Sequence, residues 1–512
     1  MLPYKKTILL IIFSILTLSI LNSSSSEELG EKRQLEQLTP SREIGDSPLY
    51  ASRRARLIER HPNSLVIIPS QFMSRQGLRE NLNFFYLTGL HEPEAVLVIE
   101  GAEVPRAILF RPQPPRPRAA SALAGPSEIL EEDRESRLLE KASGQTQTKE
   151  GPPIIIKPME EFSPFLRSSA NQPCRLFLPF SDLDFLSRTF GLVQPLAQAE
   201  ALFNLDPLLL EMRLTKDDDE IQALRKAVDL TTEALNEAYR AAEAGMREID
   251  LAAIIKYIFN RQETKESFLQ VASGPNSTNI HFGATSRELM GRDMIVFDVG
   301  AYIRGYTSDV SRTIPASGRF TKEQREIYEL VLQAQKEGCR RLVAGVTFKA
   351  VQDEVEKILL AGLEKLGLVT DVNSPWQRRL YIQHGFGHGI GLDVHDAWSW
   401  HGPRLDKVVM KPGMVMTMEP GLYFPEKRVE TYLESLKGKV PEAEIEAFQK
   451  KVAPVYARYA GFGVRIEDDI LITENGNEIL SARAPKEIAD IQRLMREKSV
   501  HNLIKTKRRE KL

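Results

Sequence analysis

The sequence predicts an α+β protein of two domains, a smaller α/β domain over residues 47–205 and a larger α+β domain over 206–495. Three observations predict it. The chain has 512 residues, 42% of them apolar and 27% charged, which is enough for two or three cores of ordinary size and excludes wholesale disorder or a polytopic membrane protein. Between residues 47 and 204, apolar runs of four to six residues rich in Val and Ile alternate with polar helical stretches, the pattern of a sheet buried under helices. Beyond Thr215 the apolar period becomes that of long amphipathic helices, interrupted by strand-like runs that carry single acids.

Taken in order, the chain opens with Lys5 and Lys6 followed by the apolar run Thr7 to Leu21. That run is short for a spanning helix, which needs about 20 apolar residues, and fits the core of an export signal. Residues 1–26 are therefore expected to be a signal peptide or a membrane anchor, placing the protein outside the cytosol, periplasmic, extracellular or anchored. Residues 27–46 are polar with no apolar period and read as a tether. The runs Leu65 to Pro69, Ala95 to Ile99 and Ala107 to Phe110 are the expected strands of the first domain, and Pro112 to Pro117 and Ser143 to Gly151 its surface loops.

In the second domain, Thr215 with Asp218 is the expected capping box of a helix carrying Ile221, Leu224, Val228 and Leu235. A similar helix spans Gln324 to Leu342 and contains Cys339, read as core. Glu426 to Ala460 is charged and helix-like, and 496–512 is a basic tail. Cys174 and Cys339 are the only cysteines, too few for a disulfide framework and in no metal-ligand spacing. With 68 basic against 70 acidic residues the net charge is −2, so no field draws the chain to nucleic acid. A membrane is met only through the N-terminal segment, if that segment is uncleaved.

Chemistry concentrates in the second domain. His384, His388, His395 and His401 are four of the eight histidines and fall within 18 residues. The stretch His384 to Gly391 holds too many glycines for a helix interior, and it lacks the Gly-Lys-Ser/Thr of a phosphate cradle. Asp298, Asp309, Glu419 and Glu467 sit in strand-like apolar runs, where an acid is costly unless paired or bound to a cation. The alternation Val464 to Ile470 puts Arg465, Glu467 and Asp469 on one face. One buried acid is more often a salt bridge than a ligand. Four of them beside a histidine cluster make a hard, oxygen-rich set suited to Mn²⁺, Co²⁺ or Zn²⁺ in a two-metal site.

The order Asp298, Asp309, His388, Glu419, Glu467 resembles the pita-bread metallopeptidases, the family of methionine aminopeptidase, prolidase and aminopeptidase P. The surrounding text carries the resemblance: Ile295 to Gly300, Tyr306 to Thr313, His384 to His388 continuing to Gly391-Leu392-Asp393-Val394-His395-Asp396, Glu419 to Tyr423, and Gly463 to Asp469. Phe85-Tyr86-Leu87-Thr88-Gly89-Leu90 with Glu92 to Ala95 is similar to the N-terminal domain of aminopeptidase P. The resemblance implies a pita-bread catalytic domain that uses two divalent ions, with Mn²⁺ the first expectation, to cleave the bond between any N-terminal residue and a penultimate proline by a metal-bridged hydroxide.

It also implies roles. Asp298 would bind one ion, His388 and Glu419 the other, and Asp309 and Glu467 both; Glu419 would also handle the proton of the attack. His281 and His395 would be catalytic and contact substrate, and His384 would line the pocket after the cleaved bond. Tyr423 and Arg465 would hold Asp298, and His401 falls outside the pattern. The relatives imply peptide substrates and a homo-oligomer. Prolidase, restricted to dipeptides, is the alternative inside the class; a creatinase-like hydrolase or a metal-free binding module is the alternative outside it. The first domain makes methionine aminopeptidase a poor match. Two departures stand out: Asn83-Phe84-Phe85 replaces the family's Asp-Phe-Trp, and Glu419 and Glu467 are 48 residues apart, which makes Glu426 to Ala460 an inserted segment.

Overall fold

The computed structural model describes residues 48–74, 77–113, 151–169, 175–180, 201–396, 407–497 and 499. The leader, the tether, most of both expected loops, Cys174, His401 and nearly all of the basic tail lie outside them. The chain divides into two compact units, one through Leu209 and one from Leu210. Among the described residues no helix is long and apolar enough to cross a membrane.

The first unit is built on a six-stranded mixed sheet in the order Ile154–Pro158, Arg106–Arg111, Val96–Glu100, Ser64–Pro69, Arg175–Leu178, Ala201–Asn204. Its expected apolar runs are strands, and the central one, Ser64–Pro69, is buried along its length between an antiparallel and a parallel neighbour. Leu65, Ile67, Val96, Val98 and Phe110 pack with Phe162 and Leu166 of the helix Phe162–Ser169 into one core. Each such side chain contributes about 1.5–3 kcal/mol by leaving water. Phe84 and Phe85 lie in the short helix Leu82–Thr88, capped by Asn81 and closed by Gly89 at φ 71°.

The second unit opens with the helix Asp218–Ala241. Its capping box is Asp217 with Glu220, two residues beyond the expected Thr215 and Asp218. The shift has a backbone cause: Thr215 bridges Met414 and Lys216 N–H bonds Gly413 O at 2.8 Å, so the chain is still extended there. Lys322–Arg341 is the expected helix around Cys339, capped by Thr321 and Gln324, and Cys339 is buried within it. Burial pushes its thiol up to about 12.

The site is positioned by antiparallel pairing. Met294–Ile303 lies between Glu266–Ser273 and Val310–Pro315, and the register sets Asp298 opposite Gln270 on one side and Ser311 on the other. Opposed residues share a face. Val415–Met418 pairs with Asp468–Thr473, and Gly421–Phe424 pairs with Phe462–Arg465. Of the four acids read as strand residues, only Asp298 lies inside a strand; Asp309, Glu419 and Glu467 occupy breaks between strands. At Glu419 and Glu467 the chain changes partner sheet, and Pro420, lacking an N–H, cannot continue a ladder. The segment between these two acids forms the helices Arg428–Glu434 and Glu442–Tyr456.

Candidate metal centre

Asp309, His388 and Glu467 are buried and offer ligand atoms that all lie within 4.8 Å of one another. His388 Nε2 is 3.4 Å from Asp309 Oδ2, 3.5 Å from Glu419 Oε1 and 4.0 Å from Glu467 Oε1. Asp298 joins through Ser311, whose Oγ lies 2.9 Å from Asp298 Oδ1 and 2.8 Å from Glu467 Oε2. All five residues expected as ligands are thus brought together.

Local structure explains how. The glycine-rich loop runs beside the strand that leads to Glu419: Thr417 N–H bonds His388 O at 2.8 Å and Glu419 N–H bonds Phe386 O at 2.9 Å. Gly387, at φ 153°, has no room for a Cβ against Thr417 O and Phe348. The close approach therefore requires glycine. His388 Nδ1 lies 3.0 Å from Gly389 O, so it carries the proton and leaves Nε2 bare toward the acids, the orientation a metal-binding imidazole needs.

Asp309 Oδ1 and Glu467 Oε1 are buried without any hydrogen-bond partner. Unsatisfied carboxylate oxygens among like charges are costly unless a cation or a proton satisfies them. Burial, reinforced by the charges of Asp298, Asp469 and Glu419, pushes the Asp309 carboxyl well above the usual range. Glu467 is raised the same way by burial and by Asp309, Glu419 and Asp298. Burial raises Glu419 to about 7, with His388 and Arg465 opposing. The residues fit a site for divalent cations, hard oxygen donors with one imidazole.

Around this set, Arg465 forms an ion pair with Asp298 through Nη2, donates from Nε to Ser311 Oγ at 2.8 Å, and from Nη1 to Ile280 O at 3.1 Å and Tyr423 Oη at 3.2 Å. Tyr423 Oη lies 2.8 Å from His384 Nε2 and is linked to Asp298 through Arg465 rather than directly. His384 Nδ1 is 3.4 Å from Glu419 Oε2. Burial, with the Arg465 charge, lowers His384 to about 3, so its ring is neutral at physiological pH. The exposed His395 ring stands edge-on to His388 with centroids 4.4 Å apart. The partial loss of water that this ring does suffer, followed by the charges of His388 and His281, lowers it to about 4. His281 is exposed on the loop that follows Gly274–Thr278.

Comparison with known proteins agrees with this arrangement. Residues 222–474 match metallopeptidase family M24, and residues 50–128 match the aminopeptidase P N-terminal domain. A Xaa-Pro aminopeptidase of Haemophilus influenzae is 33% identical over 462 residues, covering 87% of this chain and 96% of the relative. The chain belongs to the aminopeptidase P family of M24 metallopeptidases. Human Xaa-Pro aminopeptidase 3 is 29% identical, with 83% of this chain and 79% of the relative covered. Escherichia coli aminopeptidase P, solved with the inhibitor Pro-Leu, superposes with a TM-score of 0.68 at 28% identity over 87% of this chain and 97% of that one. The second unit thus has the pita-bread fold, and the protein is a metallo-aminopeptidase that uses a divalent metal.

For this aminopeptidase P relative, sequence reasoning gave no role to several supporting residues. Gln270 Nε2 donates to Asp298 Oδ2 at 2.7 Å, Thr417 Oγ1 accepts His388 N–H at 3.1 Å, and Asp469 Oδ2 accepts Asp309 N–H at 3.0 Å. Ser311 was legible in principle, two residues beyond Asp309 in the same run. Its hydroxyl has one proton for two carboxylates and accepts from Arg465, so it ties three groups. Replacing it by alanine is expected to weaken metal affinity about 10–100-fold with the fold retained. Competition titration against a fluorescent chelator checks this; unchanged affinity contradicts it.

Proposed function

We propose that this metallo-aminopeptidase releases the N-terminal residue from peptides with proline second, using two divalent ions, with Mn²⁺ as the working metal. The observation that carries this is the convergence of Asp298, Asp309, His388, Glu419 and Glu467 on one buried point, with oxygen atoms of Asp309 and Glu467 left unpartnered. The named relatives supply the substrate class, and four carboxylates with one imidazole favour a hard ion.

Those five residues would hold the ions, which when bound polarise the scissile carbonyl and lower the pKa of water at the site. The chain's own groups do the rest. Glu419 accepts the proton of the attacking water at a carboxylate oxygen and returns it to the departing proline nitrogen. The nitrogen needs that proton to depart as an amine, and the attacking water supplies it by way of Glu419. His395, neutral at working pH, offers an N–H to the oxygen that gains charge. His281 borders the same approach, and His384, held by Tyr423 and Arg465, borders the leaving side.

The direct test loads purified protein with Mn²⁺ and compares Arg-Pro-Pro, Gly-Pro and Met-Ala peptides. Release of arginine from Arg-Pro-Pro supports the proposal; cleavage of Gly-Pro alone favours prolidase.

The raised carboxyls also set a pH dependence. In the metal-free protein an acid raised on folding stabilises the fold below its unfolded value, about 4, and that contribution is lost as pH rises through the folded one. With Glu419 at about 7, chelated protein is expected to lose thermal stability as pH rises from about 4 to about 7. The increment in Tm conferred by Mn²⁺ grows over the same window, because ligands must be deprotonated to bind. Melting curves with and without metal check this, and an increment that shrinks with rising pH contradicts it.

A further inference from the structure

Beyond His384 a cavity of about 670 Å³ opens, whose lining includes Phe386, Gln383, Arg379, Arg428 and Tyr432. A second cavity of about 440 Å³ shares Ile280, Gln383 and Arg428 with it and reaches His281 and Lys427. The two form one cleft that passes both histidines flanking the metal centre. Arg428, Thr431 and Tyr432 of the helix Arg428–Glu434, part of the long segment between Glu419 and Glu467, line it. A cavity of this size accommodates a ligand as large as a short peptide.

The charges in the cleft do not balance. Arg378 pairs with Glu356 at 2.6 Å and Lys349 with Asp353. Arg379, which is exposed, and Arg428 have no acidic partner among the described residues, and Arg428 Nη2 donates to the backbone carbonyl of Arg379 at 3.1 Å. The Arg428 guanidinium also lies over the Tyr432 ring, 5.0 Å from its centroid, and its Nε is buried with no acceptor. Gln383 Nε2 is likewise buried and unpartnered. Cations that share a cleft without a counter-charge attract an anion, and buried donors without acceptors cost free energy. An anion with two oxygens relieves both, and a guanidinium matches a carboxylate in geometry as well as charge.

We propose that Arg428 and Arg379 form a carboxylate site on the leaving side of the substrate, with Gln383 donating to a peptide carbonyl on the way. This rests on the peptidase reading above. The carboxylate is the C-terminus of a short peptide or an acidic side chain beyond the proline, and the enzyme therefore favours short or acidic substrates over long neutral ones.

The test uses Mn²⁺-loaded full-length protein and three peptides: Ala-Pro-Ala-Ala as the free acid, the same peptide amidated, and amidated Ala-Pro-Ala-Glu. Turnover is measured for each, and calorimetry measures binding of the products Pro-Ala-Ala and Pro-Ala-Ala-amide. The expected result is a roughly tenfold preference for acid over amide, in KM and in product affinity and not in kcat, that weakens with salt. The preference falls below about twofold in Arg428→Gln and Arg379→Gln and is partly kept in Arg428→Lys, which retains the charge without the fork. If the glutamate peptide matches the free acid, the site reads a carboxylate from either source; if it behaves as the amide, the site reads the chain terminus. Equal affinity for acid and amide in the unaltered protein, or a preference that survives Arg428→Gln, overturns the proposal. Absence of turnover with acid-selective binding retained overturns the peptidase reading and leaves the anion site standing.

Discussion

Replacing Glu467 by glutamine is expected to lower kcat on a Xaa-Pro peptide by about 10³-fold or more and to reduce bound metal from two ions per chain to about one. The estimate rests on losing one anionic ligand, hence roughly 4 kcal/mol of charge stabilisation, at about 1.4 kcal/mol per tenfold in rate. Glutamine keeps the shape, and Glu467 N–H still bonds Ser311 O at 2.9 Å, so the strand break stays in place. The sign of the stability change separates this effect from misfolding. Removing one acid from a crowded, buried set relieves repulsion, so the metal-free variant should melt no lower than metal-free wild type at pH 8. Activity assays, metal quantification and melting curves on the same preparation check all three. Full activity with two bound ions would remove Glu467 from the site.

The second large effect lies directly beneath the site. Asp468 is fully buried between Arg312, at 2.6 Å from Oδ1, and Lys486, which pairs with Oδ2. Gln335 Nε2 and Ser481 Oγ donate to it as well, at 2.7 and 2.6 Å. Arg312 itself is wholly buried and also donates to the carbonyls of Glu467, at 2.5 Å, Ser311, at 3.0 Å, and Ala484. The network thereby fixes the backbone on which Glu467 and Ser311 stand. Burial opposes the charge of Asp468, yet Arg312 and Lys486 outweigh it and hold the carboxyl below its ordinary value.

Asp468→Asn leaves two cations in the interior without their counter-charge, which costs about 3–5 kcal/mol and lowers Tm by roughly 6–12 °C. An acid depressed on folding stabilises the fold above its unfolded value and loses that contribution as pH falls through the folded one. The gap between wild type and variant should therefore be full at pH 7 and shrink below about pH 4. Denaturant titrations at pH 7 and pH 3 measure it. A gap of less than 1 kcal/mol at pH 7 contradicts the role assigned to this network.

These two residues show where the sequence was informative. Glu467 was readable because an acid in an apolar run is anomalous by itself, and the same holds for Asp298, Asp309 and Glu419. His388 was readable from the density of histidine and glycine around it. Arg312 and Asp468 were written beside these residues and carried no comparable signal, since an arginine or aspartate next to a motif is ordinary until its burial and its partner, 156 positions away, are known. Gln270 and Ser311 depend on a register between strands that no local pattern fixes. Strand limits failed for a related reason: Glu419 and Glu467 lie where the chain leaves one sheet for another, and Asp309 at a break between two strands that both pair with Met294–Ile303, tertiary events invisible to periodicity. The helix after Lys216 began later than expected because pairing with residues 413 and 414 overrode the local capping signal.

The proposed function requires that five convergent residues bind metal and that the metal-loaded site cleaves ahead of proline. Titrating Mn²⁺ into chelated protein, while following release of arginine from Arg-Pro-Pro and counting bound ions, tests both halves at once. Negligible release is expected without metal, with a rise that reaches its plateau at two ions per chain. Equal release from the fully chelated protein, or no release with two ions bound, would contradict it.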